Sequence, residues 1–327
     1  MPGSRFTSLA MICLLSSTLL LGPSSAGRGA DGSSLEKGPD PAMSLLQALV
    51  LGVVEGVTEY LPISSTGHLL LAQRAMGIGG GNERSSPSQR HDRKEASDAY
   101  VICIQGGAIL AILFLYWRRA RSMAWGLLGK DPGGLGLALR VTLAFVPAAL
   151  LGVALEDRIK EHLFGLWPVV SAWLVGGVVI LRFARWMEEG RGRIARPLED
   201  LSWRGALLIG IIQCVAMWPG VSRSLATILG GILAGLSLSA AVEFSFLLGV
   251  VTLGAATVFD TIKHGQVMAQ FFDPMSMAAG FFSAFISALL AVRWMVGYLQ
   301  RHGLEIFGYY RIAAAAIVSA LLFFRFM

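Results

Sequence analysis

The stretch Glu55-Gly-Val-Thr-Glu-Tyr-Leu-Pro-Ile-Ser-Ser-Thr-Gly-His68 decides how this chain folds. It breaks the apolar run 45–71 with two carboxylates, a proline, hydroxyl residues, glycines and a histidine. Bare backbone and charge cannot face lipid, so such a break survives only inside protein or against a water-filled cavity. A second apolar run, 206–236, is broken in the same way by Met217-Trp-Pro-Gly-Val-Ser-Arg-Ser224. Both read as re-entrant helix hairpins that dip into a membrane and return.

The composition agrees. Of 327 residues, 54% are hydrophobic and 15% charged, with a mean hydropathy of +0.63. Soluble domains carry about 25% charged residues. The charge needed to coat the unburied surface is missing, which excludes disorder and argues against a water-soluble enzyme. Six further runs, at residues 99–117, 135–155, 166–186, 239–259, 275–299 and 309–326, approach the roughly 20 apolar residues that cross a bilayer. The charged or Gly/Pro-rich connections at 118–134, 156–165, 187–204, 260–274 and 300–308 read as loops. The expected fold class is therefore all-α and integral to the membrane. Cys13, Cys103 and Cys214 lie far apart in apolar runs and form neither a disulfide framework nor a zinc pattern. The excess of 27 Lys and Arg over 21 Asp and Glu gathers at the ends of apolar runs. That reads as membrane topology and not as a nucleic-acid surface.

A shift of 158 residues lays one hairpin on the other. Gly52 falls on Gly210, Glu55 on Gln213, Ser64 on Ser222 and Thr66 on Ser224, while Pro62 and Pro219 miss by one position. Each half, about 42–190 and 200–327, then holds one hairpin and three spans, and the whole of 42–327 forms one membrane-embedded domain. An odd number of spans turns the second half upside down, so the hairpins enter from opposite faces and meet near mid-membrane. Arg118, Arg119, Arg121, Lys130, Arg191, Arg193, Arg196, Arg204, Arg301 and Arg311 fall on one side, which marks it as cytoplasmic. Arg84, Arg90, Arg93 and Lys94, in a 77–97 loop, run against that orientation. Residues 1–41 stand apart: Arg5, an apolar core at 9–21 and Pro23-Ser-Ser-Ala26 describe a secretory signal. An uncleaved membrane helix, or a start codon taken too far upstream, is the rival reading of that segment. On either reading it carries no chemistry.

Ionisable side chains inside apolar membrane segments mark functional sites. Glu55 and Glu59, four apart, stack on one helix face. Like charges repel there unless a cation lies between them or one holds a proton; two interfacial carboxylates facing water are the plainer alternative. Beyond Pro62, Ser64, Ser65, Thr66 and His68 open a second short helix. Ser64 and Thr66 are natural N-caps, yet a helix start also offers its N–H groups to an anion. Ser65 and His68, three apart, make a minimal nucleophile–base pair. In the second hairpin Arg223 stands between Ser222 and Ser224 at another helix start, a set suited to gripping phosphate. Snorkelling of Arg223 to the interface is the alternative. Gathered in one cavity, these groups suit cleavage of a phosphate ester or anhydride carried on a lipid, with a divalent cation. Gln105 and Glu243, near the starts of spans, are weaker candidates; Glu243 either supports the site or caps a helix.

At both hairpins the sequence closely resembles the undecaprenyl-diphosphatase family, integral-membrane lipid-pyrophosphate phosphatases linked to bacitracin resistance. The family pattern E-G-x-T-E-x-L-P-x-S-S-T-G-H is met in full at 55–68. The pattern P-G-x-S-R-S-G-x-T is met at 219–227 with Leu225 in place of glycine. Segments beginning at Gln105 and Glu243 also look like family segments, and the resemblance spans about residues 43–327. It implies an inverted-repeat fold and a bacterial inner-membrane enzyme with its site toward the periplasm. The implied reaction converts undecaprenyl diphosphate to the monophosphate for reuse in cell-wall synthesis, with dependence on magnesium or calcium. By position it implies metal and acid–base roles for Glu55 and Glu59, a nucleophilic Ser65, and phosphate contacts from His68 and Arg223. Gly249-Val-Val251, where many members have Ala-Val-Pro, is a second departure beside Leu225.

These readings converge on hydrolysis. Arg223 and a magnesium or calcium ion neutralise the diphosphate, with Ser64, Thr66, Ser222 and Ser224 around the phosphate. Ser65, assisted by His68, attacks the terminal phosphorus, while Glu55 and Glu59 hold the metal or manage protons. Direct attack by metal-bound water stays open. The expected partners are a polyprenyl diphosphate lipid and the bilayer, without nucleic acid; a homodimer stays open. The rival class is a transporter, because broken helices in inverted repeats also build secondary transporters. A polyprenyl-phosphate flippase needs Arg223 but neither Ser65 nor His68.

Overall fold

The computed structural model describes residues 43–78, 87–163, 165–189, 195–271 and 273–324. The signal-like segment 1–41, together with Arg84, Arg191 and Arg193, lies outside them. The first helix begins at a capping box, in which the Ser44 hydroxyl accepts from the Gln47 N–H and the Gln47 side chain accepts from the Ser44 N–H. Helices α1 (Leu45–Thr58) and α2 (Ser65–Ala75) form the first hairpin. They are followed by α3 (Pro87–Leu115), α4 (Trp117–Leu127), α5 (Pro132–Leu163) and α6 (Leu166–Glu188). A second hairpin, α7 (Trp203–Gln213) and α8 (Arg223–Leu233), leads into α9 (Leu238–Phe271), α10 (Pro274–His302) and α11 (Glu305–Phe323).

Five stretches are long and apolar enough to cross a membrane: Pro132–Leu155, Leu166–Glu188, Leu238–Ile262, Pro274–His302 and Glu305–Phe323. Tyr100–Leu115 reaches that length only together with α4, into which it bends by 87°. The hairpin helices are shorter, 14 residues in α1 and 11 each in α2, α7 and α8. Among the described residues the only β-pairing is an isolated bridge between Arg196 and Leu236. The chain is an all-α, multi-pass membrane protein.

Several segments expected as loops are helical. α5 runs on to Leu163, α9 to Phe271, α3 starts at Pro87, and α4 occupies much of 118–134. Charged and polar residues are adequate helix formers, so a helix need not stop where the apolar run stops, and Gly or Pro marks several of the boundaries instead. α5 accordingly ends just before Gly165, and α10 opens at Pro274 behind the Asp273 cap.

Packing between the halves is reciprocal. α1 packs on α10 as α7 packs on α5, and α3 meets α10 as α9 meets α5, while α3 with α9 and α6 with α11 pair across the middle. Small residues bring the helices together. A Cβ on Gly52 or Gly56 would run into α10 at Gly280, Ser283, Ala284 and Ser287. In exchange, the Ser283 hydroxyl donates to the Leu49 carbonyl at 3.2 Å.

One basic residue belongs elsewhere than expected. Arg311, grouped above with the cytoplasmic loop bases, is fully buried within α11. It lies inside an apolar helix and not in a loop.

Candidate active site

Each hairpin turns at a serine held in an unusual backbone conformation. Ser64 (φ 74°) precedes α2 and Ser222 (φ 79°) precedes α8, and they are the two non-glycine residues with positive φ among the described residues. They are the pair that the 158-residue shift superposes. Left-handed backbone at a residue with a Cβ costs about 1–3 kcal/mol and persists only where the surroundings enforce it. The second turn is tied to the first: the Leu61 carbonyl accepts from the Ser224 hydroxyl at 2.9 Å and from Ser222 at 3.5 Å.

Between the turns lies a cavity of about 270 Å³ lined by Glu59, Ser64, Ser65, Thr66, Gln105, Gln213, Ser222, Arg223 and Thr252, among others. One carboxylate organises it. Glu59 Oε2 accepts from the Ser65 hydroxyl at 2.5 Å, and Glu59 Oε1 accepts from Arg223 Nη2 at 3.2 Å. Arg223 is further fixed by donating from Nη1 to the Ser245 carbonyl at 2.9 Å and by lying over the Tyr60 ring at 5.3 Å. Its Nε has no partner among the described residues. A guanidinium with N–H groups left over, beside a hydroxyl already hydrogen-bonded to a carboxylate, can grip an oxyanion and activate a nucleophile against it.

The expected residues separate into two groups. Glu59, Ser64, Ser65, Thr66, Ser222 and Arg223 all line the cavity. Ser64 makes no side-chain cap, which leaves the first N–H groups of α2 without a side-chain acceptor, whereas Ser222 does cap α8 through the Leu225 N–H. Ser224 is fully buried, with its hydroxyl bound to Leu61 and Ser222, and it does not line the cavity. His68 is also elsewhere. Its Nδ1 lies 2.7 Å from the Ser64 carbonyl and its Nε2 2.7 Å from the Tyr310 hydroxyl, and its ring sits against Trp173 and Tyr310. That four-residue reach back along the helix draws the imidazole off Ser65, and the hydroxyl pairs with Glu59 instead. Glu243 is tied to Arg119 at 2.6 Å and stands outside the cavity.

Glu55 is 1% exposed, and neither of its carboxylate oxygens has a hydrogen-bond partner among the described residues. A buried carboxylate left in that state is costly unless a proton or cation joins it. No group of three or more His, Cys, Asp or Glu side chains is placed to cage a metal among the described residues. Gln213, the counterpart of Glu55 on α7, likewise leaves its amide nitrogen unpartnered, and it reaches the cavity wall with Thr252. Thr252 has no sequence signal of its own; Gln213 was visible only through the repeat.

The two sequence departures are accommodated. Leu225 is buried in the core, and a Cβ at Gly249 would collide with the Arg223 guanidinium, so the glycine there gives the guanidinium its place.

Known proteins match this chain over most of its length. The sequence profile of the bacitracin resistance protein BacA family matches residues 48–317. An undecaprenyl-diphosphatase of Sorangium cellulosum is 41% identical over 84% of this chain and 86% of its own length. Undecaprenyl-diphosphatase 2 of Rhodospirillum rubrum is 43% identical over 84% of this chain and 94% of its own. With both hairpin turns inside the matched region, the chain belongs to the bacitracin resistance protein BacA family.

Proposed function

We propose that this protein hydrolyses undecaprenyl diphosphate to undecaprenyl phosphate and inorganic phosphate, recycling the lipid carrier for cell-wall synthesis and thereby conferring bacitracin resistance. The observation that carries the reading is the Glu59 carboxylate, with a hydroxyl on one oxygen and a guanidinium on the other at a cavity between two membrane hairpins. A polyprenyl-phosphate carrier would need the guanidinium but has no use for a serine hydrogen-bonded to a carboxylate, so hydrolysis is the better supported reading. The reciprocal packing of the halves supports an inverted repeat within one domain, 42–327; residues 1–41 are read from the sequence alone as a signal-like extension. The cavity is read as opening toward the periplasmic side of a bacterial inner membrane.

Arg223 and the first-turn N–H groups of α2 hold the terminal phosphate. Glu59 takes the Ser65 proton as Oγ bonds to phosphorus, and the bond to the bridging oxygen breaks. Polyprenyl monophosphate leaves. Water then cleaves the phosphoserine, Glu59 returns the proton to Oγ, and inorganic phosphate departs. His68 acts through the Ser64 carbonyl and Tyr310, orienting the turn without carrying the proton. Glu55 and Glu59 are the carboxylates that would hold a magnesium or calcium ion, and such an ion would supply charge neutralisation.

Purified protein in detergent, given undecaprenyl diphosphate and magnesium, is expected to release inorganic phosphate and to lose that release when Glu59 or Arg223 becomes alanine. Folded protein that binds the lipid but releases no phosphate with magnesium or calcium would overturn the reading.

A further inference from the structure

Arg311 is the most deeply buried charged side chain among the described residues, and the chemistry above leaves it unused. It is 0% exposed, and no carboxylate is paired with it among the described ion pairs. Its five N–H donors meet five backbone carbonyls instead. Nε donates to Trp173 at 3.4 Å, Nη1 to Pro62 at 3.3 Å and Val221 at 3.1 Å, and Nη2 to Ala172 and Gly220, each at 2.8 Å. A buried cation is expensive, and carbonyl dipoles alone are a weak substitute for a counter-ion. Packing alone would be served better by an apolar side chain of similar volume.

The identity of the carbonyls indicates the purpose. Pro62 belongs to the first turn and Gly220 to the second, and the 158-residue shift lays one on the other. Each stands two residues before the serine with positive φ, Ser64 or Ser222. One planar guanidinium therefore holds the same point of both turns and anchors them to α6 at Ala172 and Trp173. The space for it is built in: a Cβ on Gly176 would occupy the guanidinium's position. Next along α11, Tyr310 holds His68, whose other nitrogen is on the Ser64 carbonyl.

We propose that Arg311 is a positioning residue that fixes the register of the two hairpin turns, and so sets the Glu59–Ser65–Arg223 contacts without touching the substrate. The kinetic part of this proposal rests on the hydrolase reading; the structural part does not. A misplacement of about 1 Å in such a site costs about a hundredfold in rate, so loss of register acts on turnover more than on binding.

The test uses the full chain in detergent, with its native cysteines replaced by alanine and spin labels on Val57→Cys and Val215→Cys, which sit on the two hairpins at 37% and 61% exposed positions. Arg311→Lys keeps the charge but lacks the planar fork, and Gly176→Ala presses on the guanidinium from α6 without altering any cavity side chain. Both are expected to broaden or shift the inter-label distance distribution and to lower kcat by about tenfold or more while KM changes less than about threefold. Unchanged label distances, or an unchanged kcat, in the folded variants would overturn the proposal. Should Arg311→Lys fail to fold, Gly176→Ala decides alone. A parent protein that releases no phosphate would defeat the hydrolase reading, and the label distances would still decide the clamp.

Discussion

The Glu59 carboxylate and the Arg223 guanidinium, 164 residues apart in the chain, meet at 3.2 Å with side chains only 5% and 11% exposed. Neither hairpin can make this contact by itself, because α1 delivers the acid and α8 the base. The fold is thus the means of placing opposite charges beside a hydroxyl within a membrane protein. The second oxygen of the same carboxylate, already on Ser65, makes the pair more than a structural ion bridge.

Ser65→Ala removes the attacking oxygen and leaves Glu59 and Arg223 in place. Its kcat is expected to fall by roughly a thousandfold or more, and a phosphoenzyme trapped with labelled substrate in the parent is expected to be absent. Full turnover by Ser65→Ala would mean that water attacks directly, with Glu59 as its base.

Glu55→Gln replaces a buried, unpartnered carboxylate with a neutral group of the same shape. The variant is expected to melt no lower than the parent, since an uncompensated buried charge is removed. It is also expected to need more magnesium for half-maximal activity. A magnesium titration that superimposes on the parent's would remove Glu55 from any cation site.

Two glycines separate packing from propensity. Gly56→Ala drives a Cβ into Ala284, Ser287 and Ala288 of α10 and is expected to cost about 1–3 kcal/mol. Gly254→Ala, with no heavy atom near its Cβ, is expected to be neutral or to gain up to about 1 kcal/mol from helix propensity. Thermal melts of the two side by side check the α1–α10 contact; equal midpoints would contradict it.

Much of this was legible in the sequence, for identifiable reasons. Apolar length marks spans, and a proline amid charges marks a hairpin, so both turns and the five long apolar helices were visible. Helix ends were not, because Glu, Lys and Arg beyond the apolar run let α5 and α9 continue. The partner of Ser65 was misread because spacing within one helix is easier to see than a reach across a turn: His68 shares a helix with Ser65, whereas Glu59 lies on the other side of Pro62. Arg311 was read by its place near a span end, and only the folded chain brings the Pro62 and Gly220 carbonyls to it. Ser224 was placed at the phosphate by its neighbourhood to Arg223, yet successive residues of a helix point in different directions.

The most direct test of the shared chamber is a double-mutant cycle on phosphate release from undecaprenyl diphosphate, using Glu59→Gln, Arg223→Gln and the pair together. Each single change is expected to lower kcat/KM by about a hundredfold or more, and the pair to be little worse than the poorer single, because both disable one assembly. Losses that multiply in the double variant, or a single variant that keeps parental activity, would show that the two residues work apart and would contradict the account.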